Sequence, residues 1–129
     1  EFDVGEAAFR AHLAQARFAV LGANVADSAG RPFPGLRPHV VFTRPIANGR
    51  AVRVGVVGVT IPSNRPAWAR LSDPLEAARA EARRLRDSAD VLVALTHLGV
   101  EDDAHLAALA PEFDVILGGH EHENYALRR

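Results

Sequence analysis

The sequence predicts an α/β fold, and three observations support that prediction. Apolar runs rich in valine, isoleucine and leucine recur at 18–21, 52–59, 91–95 and 114–117. Stretches with helical spacing lie between the last three of them. Two of the runs end in glycine-containing segments that bring histidine to the carboxyl end of a strand. Strands alternating with helices imply a sheet with helices packed on it.

Taken in order, Ala7, Ala8, Phe9, His12, Leu13 and Ala16 fall near helical spacing and predict a helix over 5–16, with Asp3 as its cap. Phe18-Ala19-Val20-Leu21 predicts a short strand. Gly22-Ala23-Asn24 ends it, Asn24 reads as a turn residue, and Gly30 to Gly35 is loop chemistry. His39–Thr43 and Val52–Val59 are rich in β-branched residues, and Asn48-Gly49 between them predicts a hairpin whose first strand lies at a sheet edge. Thr60 to Ser72, with Pro62, Pro66 and Trp68, predicts an irregular surface connection. Asp73-Pro74 supplies a cap and a first-turn proline to a helix burying Leu75, Ala78, Ala82 and Leu85. Its arginines 79, 83, 84 and 86 read as a solvated face. A strand at 90–95, a helix at 101–109 begun by Asp102 and Asp103, and a strand at 113–117 complete the chain.

Composition narrows the function classes. A chain of 129 residues with 48% hydrophobic content has one domain's worth of core, so 1–129 reads as one unit. Its net charge of −1 offers no field for nucleic acid or an anionic membrane, and no apolar stretch reaches a bilayer's span. With no cysteine, any metal must be held through nitrogen and oxygen. The lack of methionine and the start at Glu1 suggest a piece excised from a longer protein.

The chemistry concentrates at two strand ends. Leu117-Gly118-Gly119-His120-Glu121-His122 places two imidazoles one residue apart behind paired glycines, and Leu95-Thr96-His97-Leu98-Gly99 places a third behind another strand. Glycines let a backbone pass close to an ion without a Cβ clash, and ligands of open α/β sheets bind outside the carboxyl ends of the strands. The bland alternatives are a polar loop with solvated histidines at 120 and 122, and a strand-end histidine bonding backbone at 97. His12, His39 and His105 have no partner at ligand spacing and read as surface or structural residues.

These segments, together with Glu1-Phe2-Asp3-Val4-Gly5, Leu21-Gly22-Ala23-Asn24-Val25 and Val54-Gly55-Val56-Val57-Gly58-Val59-Thr60, stand in the order in which the calcineurin-like metallophosphoesterases present their motifs. The chain resembles that superfamily, and within it the branch of 5'-nucleotidases, UDP-sugar hydrolases and cyclic-nucleotide phosphodiesterases. The Gly-Gly-His-x-His ending is the most specific part of the likeness.

The resemblance implies part of a four-layer α/β/β/α sandwich lacking its first strands. It implies a site for two divalent ions, with His97 and His120 on one ion and His122 on the other. Manganese, zinc, iron, cobalt and nickel all suit imidazole and carboxylate ligands. Two such ions lower the pKa of a bound water and clamp phosphoryl oxygens for in-line attack. The implied activity is hydrolysis of a nucleotide-like phosphate ester. A non-catalytic metal- or partner-binding piece and a thiosulfate-ester hydrolase of the same superfamily are the alternatives. Glu1 aligns with the acidic residue just past the family's catalytic histidine, so that histidine, the Asp-x-His pair and the bridging aspartate fall before it. The isolated chain is therefore expected to be inactive and, with an unpaired sheet edge, to self-associate. Glu121 or Asn124 is expected to orient the metal-binding imidazoles, and export from the cell is implied by the branch.

Overall fold

The computed structural model describes residues 2–127. The expectation attached to Glu1 lies outside them. The elements follow as α1 (Glu6–Gln15), β1 (Val20–Leu21), β2 (Val25–Asp27), β3 (Leu36–Arg37), β4 (His39–Pro45), a 3-10 turn (Ala47–Gly49) and β5 (Ala51–Thr60). The remainder is β6 (Ala69–Leu71), α2 (Pro74–Leu85), β7 (Val91–His97), α3 (Val100–Leu109) and β8 (Val115–Gly118).

The main sheet has four strands in the order β4-β5-β7-β8. β4 and β5 form the predicted antiparallel hairpin, and the positive φ of 65° at Asn48 and 70° at Gly49 makes the turn those residues favour. As predicted, β4 is an outer strand. β7 lies parallel to β5, with Thr60 opposite His97, and β8 lies parallel to β7, with Thr96 opposite Gly118. Each parallel step is spanned by a helix, the connection such pairing requires.

Local chemistry accounts for these helices. Asp73 accepts a hydrogen bond from the Glu76 N–H at 2.9 Å, and Pro74 occupies the first position of α2. Ala78, Ala82 and Leu85 then bury against Val57 and Val59 of β5 and Leu92 and Ala94 of β7, joined by Leu98, Leu106, Ala110 and Phe113. Arg83, Arg84 and Arg86 are exposed as expected, whereas Arg79 is half-buried beside Glu76. The side of the sheet away from this core leaves Leu95 at 49%, Val115 at 43% and Leu117 at 53% exposure.

Three expectations for residues 1–72 need correction. Asp3 does not cap α1: Gly5 occupies that position without a side-chain bond, and Asp3 instead accepts from the Asn64 amide. The stretches expected to be loop contain β2 and β6, which pair antiparallel from Val25 opposite Leu71 to Asp27 opposite Ala69. Runs of three residues are too short to show a period in sequence. Trp68 is not simply a surface residue of an irregular connection; it is half-buried, with ring centroids 5.3–5.9 Å from those of Phe2, Phe9 and Phe33, against a second core beneath α1.

Asn24 lies in a turn, as expected, and has a further role. It is 2% exposed, and its amide donates to the carbonyls of Thr60 and Ser72 while its Oδ1 accepts from the Thr60 N–H. It is thus a buried clamp between three segments as well as a turn residue. Gly58 lies next to it in the fold, where a Cβ would stand 2.4 Å from that of Leu21. Only glycine lets β1 cross the sheet so closely.

Candidate metal centre

β7 runs through the sheet interior and ends on His97, while β8 ends one residue before Gly119-His120. Their parallel register brings the two imidazoles together. Nδ1 of His120 lies 3.3 Å from Nε2 of His97, with ring centroids 5.0 Å apart and planes at 74°. Two nitrogens held at about 2.0–2.1 Å by one tetrahedral ion stand about 3.3–3.4 Å apart. The observed spacing is that of a hydrogen bond between the two rings, one nitrogen donating and the other accepting, and it also matches the separation of two ligands on one such ion. His97 and His120 fit such an ion through those atoms. His39, by contrast, is occupied in the fold, with Nδ1 2.5 Å from the Glu81 carboxylate of α2, and His12 and His105 are exposed.

His122 stands apart from that pair. It takes a left-handed conformation, φ 57°, in the exposed turn, and with His120 it lines an open cleft of about 830 Å³. His97 faces a smaller apolar cleft of about 310 Å³ between β1, β5 and β7. The 97/120 contact thus sits on the boundary between two clefts. No group of three histidine, cysteine, aspartate or glutamate side chains with metal-site geometry is assembled among the described residues.

Two carboxylates brace this region, and each makes contacts that the spacing did not suggest. Glu121 is engaged by α3: its Oε1 accepts the Val100 N–H at 3.0 Å, so this oxygen binds backbone and not a histidine ring. Asp103 does more than begin α3. Its Oδ2 lies 2.3 Å from where a Cβ on residue 118 would stand, so a side chain at that position would collide with this carboxylate. Burial raises the Asp103 pKa, Asp102 and Glu121 raise it further, and a hydrogen bond from Thr96 opposes them. The other Asp103 oxygen is buried without a hydrogen-bond partner among the described residues. Asp103 was missed because its reach depends on the opposition of Thr96 and Gly118, which sequence spacing does not display. The one available signal was Thr96, a polar residue closing an apolar strand, now 4% exposed.

No family model matches the chain. It is 33% identical over 112 residues to the uncharacterized metallophosphoesterase YunD of Bacillus subtilis, covering 83% of this chain and 23% of that protein. It is 31% identical over 111 residues to an apyrase of Tabanus yao, covering 80% of this chain and 19% of the relative. Among solved structures, a 5'-nucleotidase precursor from Thermus thermophilus superposes with a TM-score of 0.79 at 33% identity, over 95% of this chain and 24% of its own. The calcineurin-like phosphoesterase YfkN of Bacillus subtilis gives 0.79 at 26% identity, over 95% of this chain and 42% of its own. The chain spans about a fifth to a quarter of the length of these curated relatives.

Proposed function

Because the chain belongs to the calcineurin-like metallophosphoesterase superfamily, we propose that the protein carrying it hydrolyses a nucleotide-like phosphate ester at a site for two divalent ions. The observation behind this reading is the 3.3 Å approach of His97 Nε2 and His120 Nδ1 at adjoining parallel strand ends. In the proposal these two nitrogens hold one ion and His122, one turn further on, helps to hold the other. The ions, when bound, supply activation of water and neutralisation of phosphoryl charge. The chain's own residues would position them: β7 and β8 set the strand ends, Asp103 packs against the end of β8, and Glu121 ties the turn that follows it to α3. The names of the relatives, which include a nucleotidase precursor and an apyrase, support a nucleotide as the substrate class.

The catalytic acid and the bridging carboxylate are proposed to lie outside residues 1–129, which would leave this stretch alone inactive. A second reading is metal binding without catalysis, in which the 97/120 pair holds a single ion. Export is part of the proposal; no helix among the described residues is long and apolar enough to cross a membrane. The test is hydrolysis of AMP by the full-length protein with and without manganese. Activity that needs the ion and falls at least about 100-fold in His120→Ala supports catalysis. Ion binding without turnover supports the second reading.

A further inference from the structure

α3 begins without a cap of its own. Its N-cap is Gly99, which has no side chain, and its first N–H groups include that of Val100. The missing acceptor comes from 21 residues downstream, where Glu121 Oε1 takes the Val100 N–H at 3.0 Å. Glu121 stands between His120 and His122, and Val100 stands three residues past His97. One carboxylate therefore ties the turn that bears His120 and His122 to the segment that leaves His97. β8, which leads into that turn, is an outer strand with exposed side chains, so the sheet alone holds its end weakly. Gly99 has φ −64° and ψ 154°, a conformation open to any residue, so backbone strain does not require a glycine there. A side chain on it would meet Glu121 Oε1 at 3.4 Å.

From this geometry we infer that Glu121 is a positioning residue, a tether that sets the distance between His97 and His120 by capping α3 from the histidine turn. The inference rests on the metal-site reading above. A helix cap and a tether make different demands. A cap can be supplied by any acceptor at the start of α3, whereas a tether works only if the acceptor belongs to the turn.

The experiment exploits that difference. The full-length protein is stripped of metal and titrated with cobalt(II) alone, following the visible absorption that reports ligand number and geometry. The variants are His120→Ala, Glu121→Ala, Glu121→Gln and the double variant Glu121→Ala with Gly99→Asp, and thermal melts check folding. Glu121→Ala is expected to weaken cobalt binding about 10-fold and to alter its absorption, the range typical of partners that orient ligands. Glu121→Gln, whose amide oxygen can accept the same N–H, is expected to recover most of it. Gly99→Asp in the Glu121→Ala background gives α3 a local cap; the tether predicts recovery of the melting temperature but not of cobalt affinity. Recovery of both would make Glu121 an ordinary cap and overturn the inference, as would wild-type cobalt binding in Glu121→Ala. Should Glu121→Ala not fold, the double variant carries the same decision. A wild-type titration unaffected by His120→Ala would instead overturn the metal-site reading, and the tether with it.

Discussion

β7 and β8 are neighbouring parallel strands that both deliver histidine to the same edge, yet they are held by different forces. β7 lies between two strands and buries Leu92, Ala94 and Thr96 to 4% exposure or less, with Leu98 at 1% just beyond. Among the described residues β8 has one neighbour, and Val115 and Leu117 stand 43% and 53% exposed. His97 is thus positioned by the hydrophobic core, whereas His120 depends on side-chain contacts made by Asp103 and Glu121. Two histidines that meet at one sheet edge can owe their places to different physics, and mutations will reach them by different routes.

The largest effect should come from the core side. Leu98→Ala should cost roughly 2–5 kcal/mol in a denaturant melt, since it opens a cavity in a close-packed interior. Leu117→Ala, on the exposed side, should cost under about 1 kcal/mol in residues 1–129. If the same change in the full-length protein costs as much as Leu98→Ala, that face is covered there and the contrast between the strands belongs to the segment alone. Self-association of residues 1–129 is proposed to use this same face and edge, and a sharp monomer boundary at high concentration in sedimentation velocity would count against it.

Next in size is the contact beneath the turn. Gly118→Ala drives a Cβ into the Asp103 carboxylate and should destabilise by about 1–3 kcal/mol. Adding Asp103→Ala should return much of that loss, a coupling measured by a double-mutant cycle. Strict additivity would break the view that Asp103 braces the end of β8.

The smallest effect concerns the other end of β7. Arg53, through its side-chain hydrogen bond and then its backbone N–H, lowers the Asp90 pKa from 3.8 to about 2. A carboxyl whose pKa falls on folding stabilises the fold above its unfolded value, and that contribution disappears as the pH drops through the folded one. Stability should therefore decline between about pH 4 and pH 2, and Asp90→Asn should flatten that decline. The pair is exposed, so the change is small beside the core substitutions.

How much was legible in the sequence follows the same division. The core strands, the Asp73-Pro74 start of α2, the Asn48-Gly49 hairpin and the histidines at the strand ends could be read because each rests on local spacing or local chemistry. β2, β6 and the Phe2, Phe9, Phe33 and Trp68 cluster were not legible, because they exist through pairing and stacking between distant segments. At the site, the meeting of His97 and His120 followed from two strands ending alike. The roles of Asp103, Gly118 and Glu121 did not, since they require knowing which residues the parallel register sets opposite one another.

Asn24 carries a consequence for the time course of folding. Its amide bonds close separations of 36 residues to Thr60 and 48 to Ser72. Closing such lengths costs chain entropy before the contact rewards it, so we expect these bonds to form after the local hairpin and helices. They therefore act chiefly as a latch on the finished structure: cutting the latch should shorten the lifetime of the native state while leaving the rate at which it forms nearly unchanged.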